Sequence, residues 1–108
     1  ETNKELETLK TTTRVSGRTT PDKAVLLQNT PNPFRERSII KCVIPQSVAD
    51  ASLYLYDYNG HQIQSRSISD RGDVQIIVES NGLIPGIYLY SLVTDGEIID
   101  TKRMVLAE

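Results

Sequence analysis

Apolar and polar residues alternate along most of the chain beyond position 24, with the two-residue period that is typical of β-strands. The run 51–58 shows this best, because its two leucines lie on one face and its three tyrosines on the other. Seven such runs are present, at residues 25–29, 38–44, 51–58, 61–69, 73–79, 86–94 and 97–106. The pattern therefore predicts about seven short strands.

Turn-forming residues separate these runs at short intervals. The prolines of the segment 29–33 end the first run, because a proline nitrogen cannot donate a hydrogen bond within a sheet. Asn59-Gly60 predicts a tight hairpin with a type I′ turn, since both residues tolerate the positive φ that this turn requires. Residues 94–97 predict a further reversal. Neighbouring strands are therefore expected to run antiparallel.

Short strands at even spacing, with turns between them, indicate an all-β fold, namely an immunoglobulin-like antiparallel β-sandwich of about seven strands. The chain has 108 residues, of which 38% are apolar, and this is enough for one domain with one core. We expect the folded domain over residues 25–108. Residues 1–24 are expected to be a linker or the end of an upstream part of the protein.

The first 24 residues carry a different pattern. Residues 11–24 are rich in threonine and have no apolar period, which is typical of a linker. Residues 1–10 carry the chain's helical signal, with Leu6 and Leu9 on one face. A helix of this length is not stable alone in water, so the linker interpretation is favoured. A short helix that ends a coiled-coil fibre is the alternative, and the domain would then serve assembly.

Charge and hydropathy exclude two classes of partner. The net charge is −2 and the pI is near 5.4, so no basic face for nucleic acid is expected. The sequence has no apolar run of the length that crosses a bilayer, and no membrane span is predicted. The isolated domain is expected to be monomeric.

The residues that most often carry chemistry occur singly. Cys42 alternates with apolar neighbours and is expected to be a small buried side chain without catalytic or metal-binding function. His61 is the only histidine, follows the Asn59-Gly60 turn, and is expected to be solvated. The acidic residues are scattered, whereas a calcium loop needs several oxygen ligands at tight spacing. We therefore predict no enzyme, no metal site and no cofactor.

Two further features have weak functional interpretations. Arg71-Gly72-Asp73 is the tripeptide that integrins read, but a turn explains the same residues. The tyrosines of the run 51–58 would form a surface for stacking sugars if they were exposed. Packing against neighbouring strands is the favoured interpretation for them.

Four segments, in a fixed order, carry a family resemblance. Asn-Pro-Phe follows the first run, a Tyr-Asp pair precedes the glycine of the hairpin, and Gly-x-Tyr-x-Tyr begins the sixth run. Their residues are Asn32, Pro33, Phe34, Asp57, Gly60, Gly86, Tyr88 and Tyr90. The fourth segment lies in the last run and reads Thr101, Lys102, Arg103, Met104, Val105 and Leu106. Together they resemble the C-terminal sorting domain of proteins exported by the type IX secretion system of Bacteroidetes.

The resemblance implies a recognition module. In this family the parent protein passes through the periplasm, the outer-membrane translocon recognises the domain, and a sortase-like peptidase removes it at the cell surface. The parent protein is then attached to the surface or secreted. The last run, Thr101 to Leu106, would be the sorting signal, and the segment 11–24 would contain the cleavage site. From local physics alone, the Lys102-Arg103 pair is either such an address or a device that discourages edge-to-edge pairing.

The alternative function is a non-catalytic β-sandwich that binds a glycan or a protein, or acts as a stalk, and is retained on a surface protein. It predicts an exposed aromatic or apolar patch. It also predicts that the last residues of the chain are dispensable.

Overall fold

The computed structural model describes residues 23–108, which form seven strands. The predictions for residues 1–22, including the short helix, lie outside the described residues. The strands are β1 (Val25–Leu26), β2 (Arg37–Ile44), β3 (Ala51–Asp57), β4 (Gln62–Ser67), β5 (Gly72–Glu79), β6 (Gly86–Thr94) and β7 (Glu97–Leu106). In this part of the chain no helix is long and apolar enough to cross a membrane.

The strands form two antiparallel sheets. One has the order β1-β2-β5 and the other the order β4-β3-β6-β7. The predicted all-β sandwich of seven strands is therefore confirmed. The first strand is shorter than predicted. Leu27 N still donates to Lys41 O at 2.9 Å, and pairing with β2 then resumes only as an isolated bridge between Thr30 and Ile39, next to the first proline.

The core lies between the sheets and is built by the predicted alternation. Leu53 and Leu55 on β3 face Ile40 and Ile76 of the other sheet, and each of these side chains is at most 5% exposed. The remaining buried apolar residues are Leu26, Phe34, Cys42, Ile44, Ala51, Ile68, Val74, Val78, Tyr88, Tyr90, Leu92, Met104 and Leu106. The last strand therefore contributes two residues to the core, Met104 and Leu106, both near its end.

The β3–β4 hairpin forms where it was predicted, but the prediction of a type I′ turn was wrong. Gly60 has a φ of 92°, whereas Asn59 stays at negative φ. Gly60 N donates to Asp57 O at 3.0 Å, so the loop is a tight turn followed by a left-handed glycine. The Asp57 carboxylate holds this shape by accepting from the backbone amides of Asn59 and His61, both at 2.9 Å. These two hydrogen bonds favour this loop over the shorter, two-residue loop of a type I′ turn.

The type I′ turn occurs instead between β6 and β7. Asp95 and Gly96 both have positive φ, 49° and 84°, and they form the two-residue loop between the paired residues Thr94 and Glu97. Asp95 Oδ1 also accepts from the amides at 49 and 50, at 3.0 and 2.8 Å. The turn is therefore tied to the loop that precedes β3.

Candidate functional site

The strand β7 is held along its full length by β6. The pairing runs from Thr94 opposite Glu97 to Gly86 opposite Leu106. A register irregularity after Leu92 interrupts the ladder once. The segment with the family resemblance therefore lies on an ordered strand that begins directly after a tight turn.

The other edge of β7 is bound by the segment that contains Asn32-Pro33-Phe34. Phe34 N donates to Val105 O at 3.0 Å, and Ala107 N donates to Phe34 O at 2.7 Å, which makes a short parallel bridge. Asn32 Oδ1 accepts from Val105 N at 2.8 Å. The Phe34 ring is 1% exposed. The end of β7 is therefore held on both sides.

A buried polar network anchors this segment to β6. The Tyr90 hydroxyl donates to Leu27 O at 2.9 Å and accepts from Asn29 N at 2.8 Å. The Asn29 side chain, which is 1% exposed, donates to Ser38 Oγ at 2.9 Å and to Pro31 O at 3.1 Å. These bonds satisfy the buried polar groups, which would otherwise destabilise the fold. Tyr90 thus orients the segment that covers β7.

The residues of the last strand divide between two faces. Met104 and Leu106 point into the core and are 0% and 4% exposed. Lys102 points to the same side, at the rim, where its Nζ lies 3.3 Å from Asp100 Oδ2. The other three residues, Thr101, Arg103 and Val105, lie on the outer face of the four-stranded sheet. The Lys102-Arg103 pair is therefore split between opposite sides of the sheet.

Arg103 lies beside apolar and aromatic side chains on this outer face. Its cross-strand partner is Leu89, which pairs in turn with Tyr56. Tyr54 lies next to Tyr56, with ring centroids 6.4 Å apart and an interplanar angle of 44°. All three neighbours are half-buried. We define Tyr54, Tyr56, Leu89 and Arg103 as the outer patch.

The other predicted motif residues lie at the same end of the sheet. Asp57 is opposite Tyr88, which is opposite Met104. The Tyr88 hydroxyl donates to Ile84 O. The bonds from Asn59 and His61 lower the pKa of the Asp57 carboxyl, mainly through the His61 amide. Six of the eight motif residues therefore lie beside β7.

The residues with chemical interpretations differ in their exposure and contacts. Cys42 is 1% exposed, as predicted, and burial raises its pKa to about 11, so the thiol stays protonated at neutral pH. His61 is exposed on its turn, as predicted. No cluster of metal-binding side chains occurs among residues 23–108. Arg71 donates to the carbonyls of Val48 and Ala49 at 3.0 and 2.9 Å, so its guanidinium binds the protein's own loop.

Two residues of the site were missed by the sequence analysis. The sequence placed Asn29 only where the first run meets the proline segment 29–33, yet its side chain is buried. Gln28 Nε2 donates to Arg103 O at 2.6 Å and to Asn29 Oδ1 at 2.7 Å, which adds another contact to β7. No local signal distinguishes these amides from solvated loop residues. The contacts that tie Gln28 to Arg103 and the Asn29 backbone N–H to Tyr90 span more than 60 residues of the chain.

The fold and the site define a β-sandwich module whose last strand is paired along one edge, is held near its end on the other, and contributes Arg103 to the outer patch. The family model for secretion system C-terminal sorting domains matches residues 30–107. The chain therefore belongs to this family, whose members are the sorting signals of type IX secretion and direct export toward the cell surface or the medium.

A solved structure has the same fold. The crystal structure of dimeric latent PorU from Porphyromonas gingivalis matches 89% of this chain with a TM-score of 0.65 and 23% sequence identity. The match covers 10% of the PorU chain, so this chain spans about a tenth of that protein's length. No curated protein matches the sequence.

Because the Tyr90 hydroxyl is buried, we expect the stability of the domain to fall as pH rises through the alkaline range. Burial raises the pKa of Tyr90 from its ordinary value of 10.0 to about 12. The unfolded chain therefore ionises this group first as pH rises, and stability is lost between pH 10 and about 12. We expect the free energy of unfolding to fall by on the order of 2 kcal/mol across this range.

Urea denaturation of the wild type and Tyr90→Phe over the same pH series measures this loss. The variant lacks two hydrogen bonds and is expected to be less stable at neutral pH by about 1–3 kcal/mol. Its deficit should shrink above pH 10. A deficit that stays constant up to pH 12 would show that the hydroxyl does not titrate as described. Tyr54→Phe, on the outer face, serves as the matched control.

Proposed function

We propose that the residues from Thr101 to Leu106 act as the sorting signal in two parts. Met104 and Leu106 fix the strand by packing in the core, and the outward residues are read by a receptor. The observation that carries this proposal is the division of one strand between an inward side, where Met104 and Leu106 are buried, and an outer side on which Arg103 is exposed. The motif residues on neighbouring strands would then hold the strand in the shape that is read.

The outer patch supports a direct protein contact. A guanidinium can pair with a carboxylate while its flanks pack on apolar and aromatic side chains. Leu89 and Tyr56 provide such flanks beside Arg103. Aromatic residues and arginine are also the types that most often dominate protein interfaces. The proposed reader is the outer-membrane translocon of type IX secretion.

The rest of the proposed route comes from the family. The parent protein passes through the periplasm, the translocon binds this domain, and a sortase-like peptidase separates it from the exported part. The proposed domain boundary lies between residues 24 and 25, and the proposed cleavage segment is 11–24. The role proposed for the domain is recognition and involves no catalysis.

Export of a reporter tests the proposal. Residues 1–108 are fused behind a periplasm-directed fluorescent protein in a host with working type IX secretion. We expect Arg103→Gln to lower the surface and medium signal about tenfold, and the neighbouring Lys102→Gln to leave it within about twofold, because Lys102 lies on the other side of the sheet. Thermal melts of both purified domains establish that they are folded.

The outcomes separate the parts of the proposal. Equal export of both variants and the wild type would contradict the proposal that a receptor binds the outer patch. A wild-type fusion that stays periplasmic although folded would contradict active sorting in that host. The binding or stalk alternative would then be favoured.

A further inference from the structure

Three of the four sheet edges carry features that prevent pairing with another chain. The edge strand β1 has two residues, and β7 is covered at its end by Phe34. The edge strand β4 has a register irregularity opposite β3. It also directs Arg66 toward the core side, since Arg66 pairs with the buried Leu53. Bulges, short strands and inward charges are known protections of sheet edges.

The fourth edge, β5, lacks these protections. It has eight residues, its eight pairs with β2 run without a register shift, and Gly72–Glu79 contains no proline or lysine. Among residues 23–108 no strand pairs with its other side. The outward side chain of Ile77 is 45% exposed. A long, regular and partly apolar edge of this kind is a template for another strand.

The hydrogen-bond pattern shows which backbone groups are free. Ser80 N donates to Glu36 O at 2.9 Å, next to the pair formed by Arg37 and Glu79. Since bonded pairs alternate along an antiparallel ladder, the even-numbered residues of β5 bond to β2. The N–H and C=O groups of the odd-numbered residues therefore point to the open edge, and these residues are Asp73, Gln75, Ile77 and Glu79.

A groove beside this edge fits alternating apolar side chains. β4 and β5 are the edges of opposite sheets, and the groove between them is floored by Ile40, Leu55 and Ile76. Gln64 and Arg66 line its β4 side. A strand added to β5 would direct the side chains opposite Ile76 and Val78 into this groove, which lies beside residues 76–79.

We propose that β5 binds an extended segment of another protein by β-strand addition. The acidic Asp73 and Glu79 side chains are exposed on the outer face of β5, where Glu79 Oε2 lies 4.0 Å from Arg37 Nη2 of β2 in an exposed pair. Both carboxylates favour lysine or arginine on the added strand. The partner is therefore a strand-forming segment with apolar residues at alternate positions and basic residues opposite Asp73 and Glu79. This surface lies on the other sheet from the outer patch, and the inference does not depend on the proposed function.

A second copy of the chain fits the edge less well. An antiparallel self-pairing of the whole strand is centred on Ile76 and brings Asp73 of each copy opposite Glu79 of the other. Like charges directly opposite one another destabilise a strand pair. The charge pattern thus favours a basic partner over a dimer.

The probe is the capped peptide Lys-Val-Thr-Val-Thr-Val-Lys-Val, titrated into isotope-labelled chain of residues 1–108. We expect saturable NMR shift changes along Gly72–Glu79 and slowed amide exchange at Gln75 and Ile77. The same peptide with glutamate in place of lysine should bind at least about tenfold more weakly. A peptide N-methylated at the amides that face β5 should not bind.

Variants of the protein complete the test. Gln75→Pro removes a free-edge donor without removing a bond to β2, so it should keep the melting temperature within a few degrees and lose binding. Gln75→Thr keeps the donor and should keep binding. Asp73→Lys with Glu79→Lys should reverse the preference between the two peptides.

Three results would overturn the inference. The first is absence of saturable binding by the lysine peptide. The second is binding that survives both N-methylation and Gln75→Pro, or shift changes confined to another strand. The third is a concentration-dependent dimer in sedimentation with protected Gln75 and Ile77 amides, which would make a second copy the occupant.

Discussion

A chain that stops after Asp100 is expected not to fold. The deletion removes Met104 and Leu106, which are 0% and 4% exposed, and uncovers the Phe34 ring. Each lost core side chain costs about 2–5 kcal/mol, and small domains have only about 5–15 kcal/mol of stability in total. Circular dichroism should show no cooperative thermal transition, and amide resonances should collapse into the unfolded range.

The matched control is Arg103→Gln, which changes an exposed residue of the same strand and should melt within a few degrees of the wild type. A truncated chain with a cooperative melt would show that β7 is dispensable for the core. If the truncated chain does not fold, unfolding alone can explain a loss of export. Such a loss then does not identify a missing sorting signal. Single outward substitutions are therefore the informative export variants.

Phe34→Ala is expected to destabilise the domain by about 3–5 kcal/mol. The ring is 1% exposed and belongs to the core, although it lies in a loop outside the named strands. Its loss leaves a cavity beside Leu106, with which Phe34 forms a backbone bridge. The free energy of unfolding from urea denaturation measures the effect.

Phe34→Leu separates the side chain from the backbone. Both variants keep the N–H that donates to Val105 O, but leucine refills part of the cavity and should cost clearly less than alanine. Equal losses in the two variants would indicate that the ring shape matters more than volume. A loss below about 1 kcal/mol for alanine would contradict the packing described.

The strands and their faces could be predicted because the information is local. Alternation and turn residues are enough to place β3, β5 and β6 within a residue or two. The β3–β4 turn was predicted with the wrong geometry because Asp57 accepts from two loop amides, and a pair preference such as Asn-Gly does not include that contact.

The candidate site was predicted only in part because its contacts are distant in sequence. The resemblance identified β7 and the Asn-Pro-Phe segment, but nothing local shows that Asn32 binds Val105 N or that Asn29 is buried. Nor does the local sequence show that Lys102 and Arg103 lie on opposite sides of the four-stranded sheet. Such contacts become visible only once the sheets are assembled.

The division of Lys102 and Arg103 between two sides has a consequence for how an export apparatus meets its cargo. A receptor that reads a stretched tail encounters both cations in succession. A receptor that approaches the assembled four-stranded sheet from outside encounters only the second. If neutralising only Arg103 lowers export, the tail was already folded when the receptor bound it. If neutralising either cation lowers export, the receptor bound an extended tail.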